Sequence, residues 1–195
     1  MIHPINPSLA WLAEFAVLAN RNILDFYGSR GSCIFSSGVV CDVLTQLGIE
    51  AVPLRVTAKV FHPEPRKYGC VLGSNGAGER MPVAGRDQWH GHLVVLVAEN
   101  YLLDTTLDQV RDTHRWLKTT PVAIDLLGTK WFDDRDPADH WTGPLALFPD
   151  GVTVSYEKFR RQNGWQSAGD FRPGRRREIV RRLIEQTEKF CQPCD

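Results

Sequence analysis

Apolar and polar positions along the chain change their period several times, and each change marks an element. Leu9, Leu12, Phe15, Ala16 and Ile23 recur at three- and four-residue spacing, which predicts a helix starting after Pro7-Ser8, with Ser8 as its cap. Gly28 and Gly31 break that pattern. A second helix is predicted over 33–47, with Phe35, Val39, Val40, Val43, Leu44 and Leu47 on one broad face and Gly48 as its stop. The β-branched run "IEAVPLRVTAKVF" over 49–61 predicts a strand, and Pro53 within it points to an edge position or a bulge.

Residues 62–89 are rich in Gly, Pro and charge and keep no period, so they read as one long loop. A loop of that length in a compact domain is usually functional. "HLVVLVAENYLLDTTL" over 92–107 gives two apolar runs around Ala98-Glu99-Asn100 and predicts a β-hairpin. An aromatic, acidic stretch follows, with Trp131, Phe132 and Trp141 as candidate walls of a cleft. A short strand over 152–156 comes next, then a last helix over 174–190 with the stripe Ile179, Val180, Leu183 and Ile184. Helices first and a hairpin after them imply one α+β domain over 1–195, its N-terminal helices packed on an antiparallel β-sheet.

Composition narrows the function classes. The chain has 195 residues and 43% hydrophobic content, enough for a sizeable core, and no segment has the roughly 18 apolar residues in a row that span a bilayer. Glu14 interrupts the first apolar run and no basic stretch precedes it, so it reads as an amphipathic helix and not a secretion signal. Lys plus Arg and Asp plus Glu number 23 each, leaving no net charge to draw the chain to nucleic acid or to a membrane surface. The five cysteines, Cys33, Cys41, Cys70, Cys191 and Cys194, are odd in number and not spaced as a disulfide framework, which fits a reducing, cytoplasmic setting. The terminal "CQPC" has redox-like spacing but lies outside any βαβ pattern and reads as a tail. The basic run "RPGRRREIVRR" alternates with an apolar stripe and reads as a solvated helix face.

Cys33 stands at the predicted start of the second helix, three residues after Arg30. A thiol attacks carbonyl carbon as its thiolate, which a helix N-terminus or a nearby cation favours. It also needs an imidazole to take its proton and a third group to orient that ring. If Ala98-Glu99-Asn100 is a three-residue hairpin loop with Asn100 left-handed, Asp104 lies opposite Val94 and Thr106 opposite His92. Strand alternation then puts His92 and Asp104 on one sheet face as diagonal neighbours, within about 7 to 8 Å at the backbone. The same register sets His90 opposite Asp108 as a competing pair. His92 is preferred because it opens the apolar run.

Cysteine at a helix start, then a strand, then a His opening one strand and an Asp in the next resembles the transglutaminase-like branch of the papain-like cysteine enzymes, which includes the arylamine N-acetyltransferases. The stretches that carry the likeness are "GSCIFSSGVVCDVLTQLGIEAVPLRV" and "HLVVLVAENYLLDTT". "LLDTT" is similar to the Asp-x-Thr of transglutaminase-like domains, and "HLVVLV" to the acetyltransferase strand. The resemblance implies a papain-like fold with Cys33 as nucleophile, His92 as general base and acid, and Asp104 as orienting carboxylate. It further implies acyl transfer through a thioester, with an amide or ester of a peptide, protein or small molecule as substrate, water or an amine as acceptor, and no cofactor. Two other readings of the same residues stay open. Cys33 can be a buried small residue in a non-catalytic binding domain, or His90, His92 and Asp104 can hold a hydrolytic metal. Cys41, in mid-helix, reads as core, and His62 and His114 as solvated.

Overall fold

Two long helices come first, and their burial explains their order. Helix α1 (Leu9–Tyr27) buries Leu12, Phe15, Ala16, Ala19 and Ile23, the stripe its spacing predicts, and Ser8 Oγ accepts the Trp11 N–H at its start. Helix α2 (Cys33–Gln46) is buried nearly all round, including Ser36, Ser37 and Gly38 opposite its apolar face. One broad face was the expectation. Its second side is covered by the last helix, α4 (Arg177–Phe190), and by a 3-10 turn at Gly169–Phe171, so only its last turn, at Thr45 and Gln46, is exposed. Leu47 caps the helix and Gly48, at φ +77°, turns the chain away. The computed structural model on which this description rests covers residues 7–27, 32–64, 69–73, 91–127, 145–158, 165–166 and 168–190.

Seven antiparallel strands form one sheet: β1 (Ala51–Phe61), β2 (Cys70–Leu72), β3 (His92–Val97), β4 (Tyr101–Asp104), β5 (Val122–Asp125), β6 (Leu145–Leu147) and β7 (Thr153–Lys158). The order is β5-β4-β3-β1-β7-β6, and the end strands β5 and β6 approach one another, curling the sheet towards a barrel. The fold is therefore α+β with helices against an antiparallel sheet. One face carries Val95, Val97 and Leu103 into a core shared with α1, α2 and α4. The other gathers Val56, Val60, Val94, Leu102, Val154 and Tyr156 into a second core, closed by Leu107, Val110 and Leu117 around the short helix α3 (Val110–Thr113).

The structure corrects three expectations. β1 lies in the middle of the sheet, not at its edge. Pro53 is tolerated there because β7 joins β1 only from Val56 onward, so one side of the strand is unpaired at the proline. The stretch read as a continuous loop contains β2, and β2 pairs with Ala58–Val60 on the same side of β1 that β3 occupies from Val56 to Ala51. β2 and β3 are thus two halves of one interrupted line of strand. Between 107 and 127, where no element was expected, a 3-10 turn, α3 and β5 intervene. The aromatic stretch 131–141, His90, Arg30 and the terminal cysteines lie outside the described residues. Among those residues, no helix is long and apolar enough to cross a membrane.

Candidate functional site

Cys33 is the first residue of α2, and Ser32 caps the helix in extended conformation, its side chain accepting the Phe35 N–H at 3.1 Å. That cap fixes where the helix begins and leaves the thiol on its first turn. Cys33 is only half buried, and its Sγ lies 3.6 Å from the carbonyl oxygen of Gly91, the residue just before β3. Cys33 is also close enough to His92 to add to what holds its proton. Cys33 therefore does not disappear into the aliphatic core.

His92 is 1% exposed, and its Nε2 lies 2.7 Å from Asp104 Oδ2. That contact occupies Nε2 and leaves Nδ1 as the ring nitrogen not engaged by Asp104. Asp104 is held from three sides. Its Oδ1 accepts the Thr106 N–H at 3.0 Å and the Thr106 hydroxyl at 3.4 Å, and its Oδ2 accepts the Tyr156 hydroxyl at 3.0 Å.

The hairpin register that predicted this meeting is observed, with Val95 opposite Leu103, Leu96 opposite Leu102 and Val97 opposite Tyr101. Its turn differs from the expectation: Ala98 (φ 47°) and Glu99 (φ 58°) take the left-handed conformation, and Asn100 does not. The Asn100 N–H closes the turn on the Val97 carbonyl at 3.1 Å. Thr106 has left the strand, since β4 ends at Asp104, and it turns back onto the carboxylate instead of facing His92 across the ladder.

Charge and burial act together here. Burial alone would depress the His92 imidazolium, but the charge and hydrogen bond of Asp104, with a smaller contribution from Cys33, raise it to about 10. Asp104 is shifted the other way. Burial opposes its ionisation, yet His92, the Thr106 N–H and the Tyr156 hydroxyl hold it below the usual carboxylate range. Burial and the neighbouring carboxylate push the Tyr156 phenol well above its ordinary value, which keeps it protonated and donating. The site thus stores an imidazole that accepts and keeps a proton beside a thiol.

Three features escaped the sequence reading. Tyr156 lies on β7, and alternation shows that Val152, Val154 and Tyr156 share a face, but no local signal tells that β7 lies across β1 from β3. Gly73, just after β2, sits against His92: a Cβ there would stand 2.4 Å from the His92 nitrogen and 2.8 Å from its Cβ, and φ is +76°. Only glycine fits. The aromatic wall beside Cys33 is built by Trp165 and Phe171, with ring centroids 4.6 Å apart, together with Ile34, Leu93 and Ala168. The indole N–H of Trp165 is buried and finds no acceptor among the described residues.

The other candidates fall away from this centre. Cys41 is buried, and burial with Asp42 beside it pushes its thiol up to about 12. Asp108 is buried on the 3-10 turn Leu107–Gln109 and accepts from Asn20 Nδ2 at 3.1 Å; its expected partner His90 lies outside the described residues. His62 accepts the Glu64 N–H, and His114 stacks edge-on with Trp116. Among the described residues no cluster of three or more metal-ligating side chains is placed to hold an ion. No protein-family model matches the chain, and neither a curated protein nor a solved structure is detectably similar to it.

Proposed function

We propose that the protein is a cysteine-dependent acyl-transfer enzyme on a papain-like scaffold of the transglutaminase-like kind. The observation that carries this reading is the 2.7 Å contact between the buried His92 and Asp104 side chains, with Cys33 half-buried on the opening turn of a helix and its Sγ 3.6 Å from the carbonyl of Gly91, the residue before His92. Cys33 acts as nucleophile, His92 as base and then acid, and Asp104 as the group that orients the ring and stabilises its charge. Tyr156 and Thr106 position Asp104.

The proton of the Cys33–His92 pair sits on the imidazole, and the Cys33 thiolate attacks the carbonyl carbon of an amide or ester. The new C–S bond leaves a tetrahedral oxyanion. Among the described residues the Cys33 and Ile34 N–H groups of α2 have no intrahelical partner, whereas Phe35 and Ser36 are capped by Ser32, so these two donors face the developing charge. The carbonyl re-forms, His92 returns its proton to the departing amine or alcohol, and a thioester remains on Cys33. Water or an amine then attacks that thioester, passes its proton to His92 and takes the acyl group, which regenerates the thiol. Proton and acyl movements suffice for every step. Among the described residues Cys33, Cys41 and Cys70 carry free thiols, which suits a reducing, cytoplasmic setting.

The test uses iodoacetamide and 4-nitrophenyl acetate, with mass spectrometry to locate the modified residue. At neutral pH, Cys33 is expected to alkylate at least about tenfold faster than free cysteine, to carry an acetyl group after ester treatment, and to lose the advantage in His92→Ala. A rate matching free cysteine, or one indifferent to His92→Ala, overturns the proposal.

A further inference from the structure

Ser36 and Ser37 lie one turn beyond Cys33 on α2, and both are essentially without solvent exposure, at 0% and 2%. A buried hydroxyl inside a helix gains nothing in propensity and costs stability unless it is bonded. Both bonds leave the helix. Ser36 Oγ is 2.7 Å from Thr105 Oγ1, and Thr105 is the residue after Asp104. Ser37 Oγ donates to the Leu93 carbonyl at 3.0 Å, and Leu93 is the residue after His92. Thr105 is held from its other side by Asn20 of α1, whose Nδ2 donates to the Thr105 carbonyl at 2.8 Å. The helix that carries the thiol is therefore tied to the immediate neighbour of the imidazole and to that of the carboxylate.

We infer that Ser36, Ser37 and Thr105 are positioning residues that set the register of α2 against β3 and β4 and so hold the Cys33 thiol at His92. The inference rests on the acyl-transfer reading above. Its physical basis is directionality. Farther along α2 its packing against the sheet runs through aliphatic residues such as Val39, Val43 and Val95, and dispersion tolerates sliding. Hydrogen bonds of 2.7 and 3.0 Å do not, because they weaken steeply with angle and distance. Proton exchange between thiol and imidazole needs contact, and a displacement of about 1 Å costs on the order of 100-fold in rate.

The experiment compares Thr105→Val, which keeps the shape and loses the hydroxyl, with Thr105→Ser, which keeps the hydroxyl, and adds Ser37→Ala. Iodoacetamide alkylation of Cys33 is followed as a function of pH on samples that circular dichroism shows to be folded. Thr105→Val and Ser37→Ala are expected to slow alkylation about tenfold at neutral pH and to move the profile towards alkaline values, while Thr105→Ser stays within about twofold of the parent. An unchanged profile in Thr105→Val and Ser37→Ala overturns the inference, as does a Thr105→Ser as impaired as Thr105→Val. If Ser37→Ala does not fold, the two Thr105 variants decide alone. Wild-type Cys33 no faster than free cysteine and indifferent to His92→Ala would end the acyl-transfer reading itself. A His92→Ala that slows alkylation while Thr105→Val does not would end only the positioning role.

Discussion

Cys33 and Cys41 lie about two turns apart on the same helix and share a residue type, yet their surroundings have nothing in common. Cys33 is half exposed on the first turn, against the carbonyl of Gly91, the residue before His92. Cys41 is sealed among α1, α2 and α4, beside a different ion pair, in which Arg176 donates from Nε to Asp42 Oδ2 at 2.9 Å and from Nη2 to Oδ1 at 3.2 Å. That second pair joins α4's leading turn to α2, and Gly38 makes room for it: a Cβ on Gly38 would stand 2.4 Å from Arg176 Nη1. Both turns hold buried charge, one beside a half-exposed thiol and one beside a thiol that burial holds protonated. Position on the helix, not residue type, sets how the two sulfurs differ.

The sharpest way to break this contrast is to remove each sulfur in turn. Cys33→Ser is expected to abolish acetylation from 4-nitrophenyl acetate, a loss of about 10⁴-fold or more, with little change in melting temperature. Cys41→Ser should leave the Cys33 acetylation rate unchanged while lowering stability by about 1–3 kcal/mol, because a buried apolar sulfur is exchanged for a hydroxyl without an assigned partner. Acetylation that follows Cys41 instead would reverse the assignment of the two turns.

Next in size is the structural ion pair. Arg176 is 3% exposed, so Arg176→Ala leaves the Asp42 carboxylate, itself 35% exposed, without its partner and empties the space above Phe171. The expected loss is about 3 kcal/mol in urea unfolding, at the low end for a buried pair because Asp42 is partly solvated. Alkylation of Cys33 should continue in the folded fraction. A stability change within error would mean that the helix contact is carried by the apolar stripe of α4 alone.

The contrast also extends to the pH dependence of stability. His92 is raised from 6.5 to about 10, so between those values the folded state keeps a proton that the unfolded chain has released. Stability is therefore full below about pH 6.5 and declines as pH rises towards 10, with a slope approaching about 1.4 kcal/mol per pH unit. Asp104 is lowered from 3.8, so its share is present above that value and lost as pH falls below it. The two describe one interaction seen from both partners, with a shared plateau between 3.8 and 6.5. Asp104→Asn should flatten the alkaline decline. Calorimetry across this range checks it, and a decline that survives the substitution would place its cause elsewhere.

The part of the site legible in the sequence was the part encoded locally. His92 and Asp104 belong to one hairpin, and two-residue alternation with a short loop is enough to put them on one face. The helix starting at Cys33 was likewise legible, because Gly, Ser and an apolar run are neighbours in the chain. The loop length survived an error in detail: the turn is made by Ala98 and Glu99, residues with no propensity for positive φ, held by the ladders on either side. Tyr156, 52 residues from Asp104, carried no such signal, nor did Ser36 and Ser37, whose partners are 69 and 56 residues away. β2 was hidden because three residues are too few to establish a period. Pro53 misled because a central strand with a half-length neighbour behaves locally as an edge.

The interrupted strand has a consequence for how such a site diversifies. Gly73 and His92 are adjacent in space although 18 residues of chain run between them. Whatever that stretch contains, its two ends leave and rejoin the scaffold at one point, so lengthening, trimming or exchanging it costs the ladder no pairing and little closure entropy. At that point the scaffold brings the two ends of the stretch together beside His92, so the ladder on either side does not depend on what runs between them.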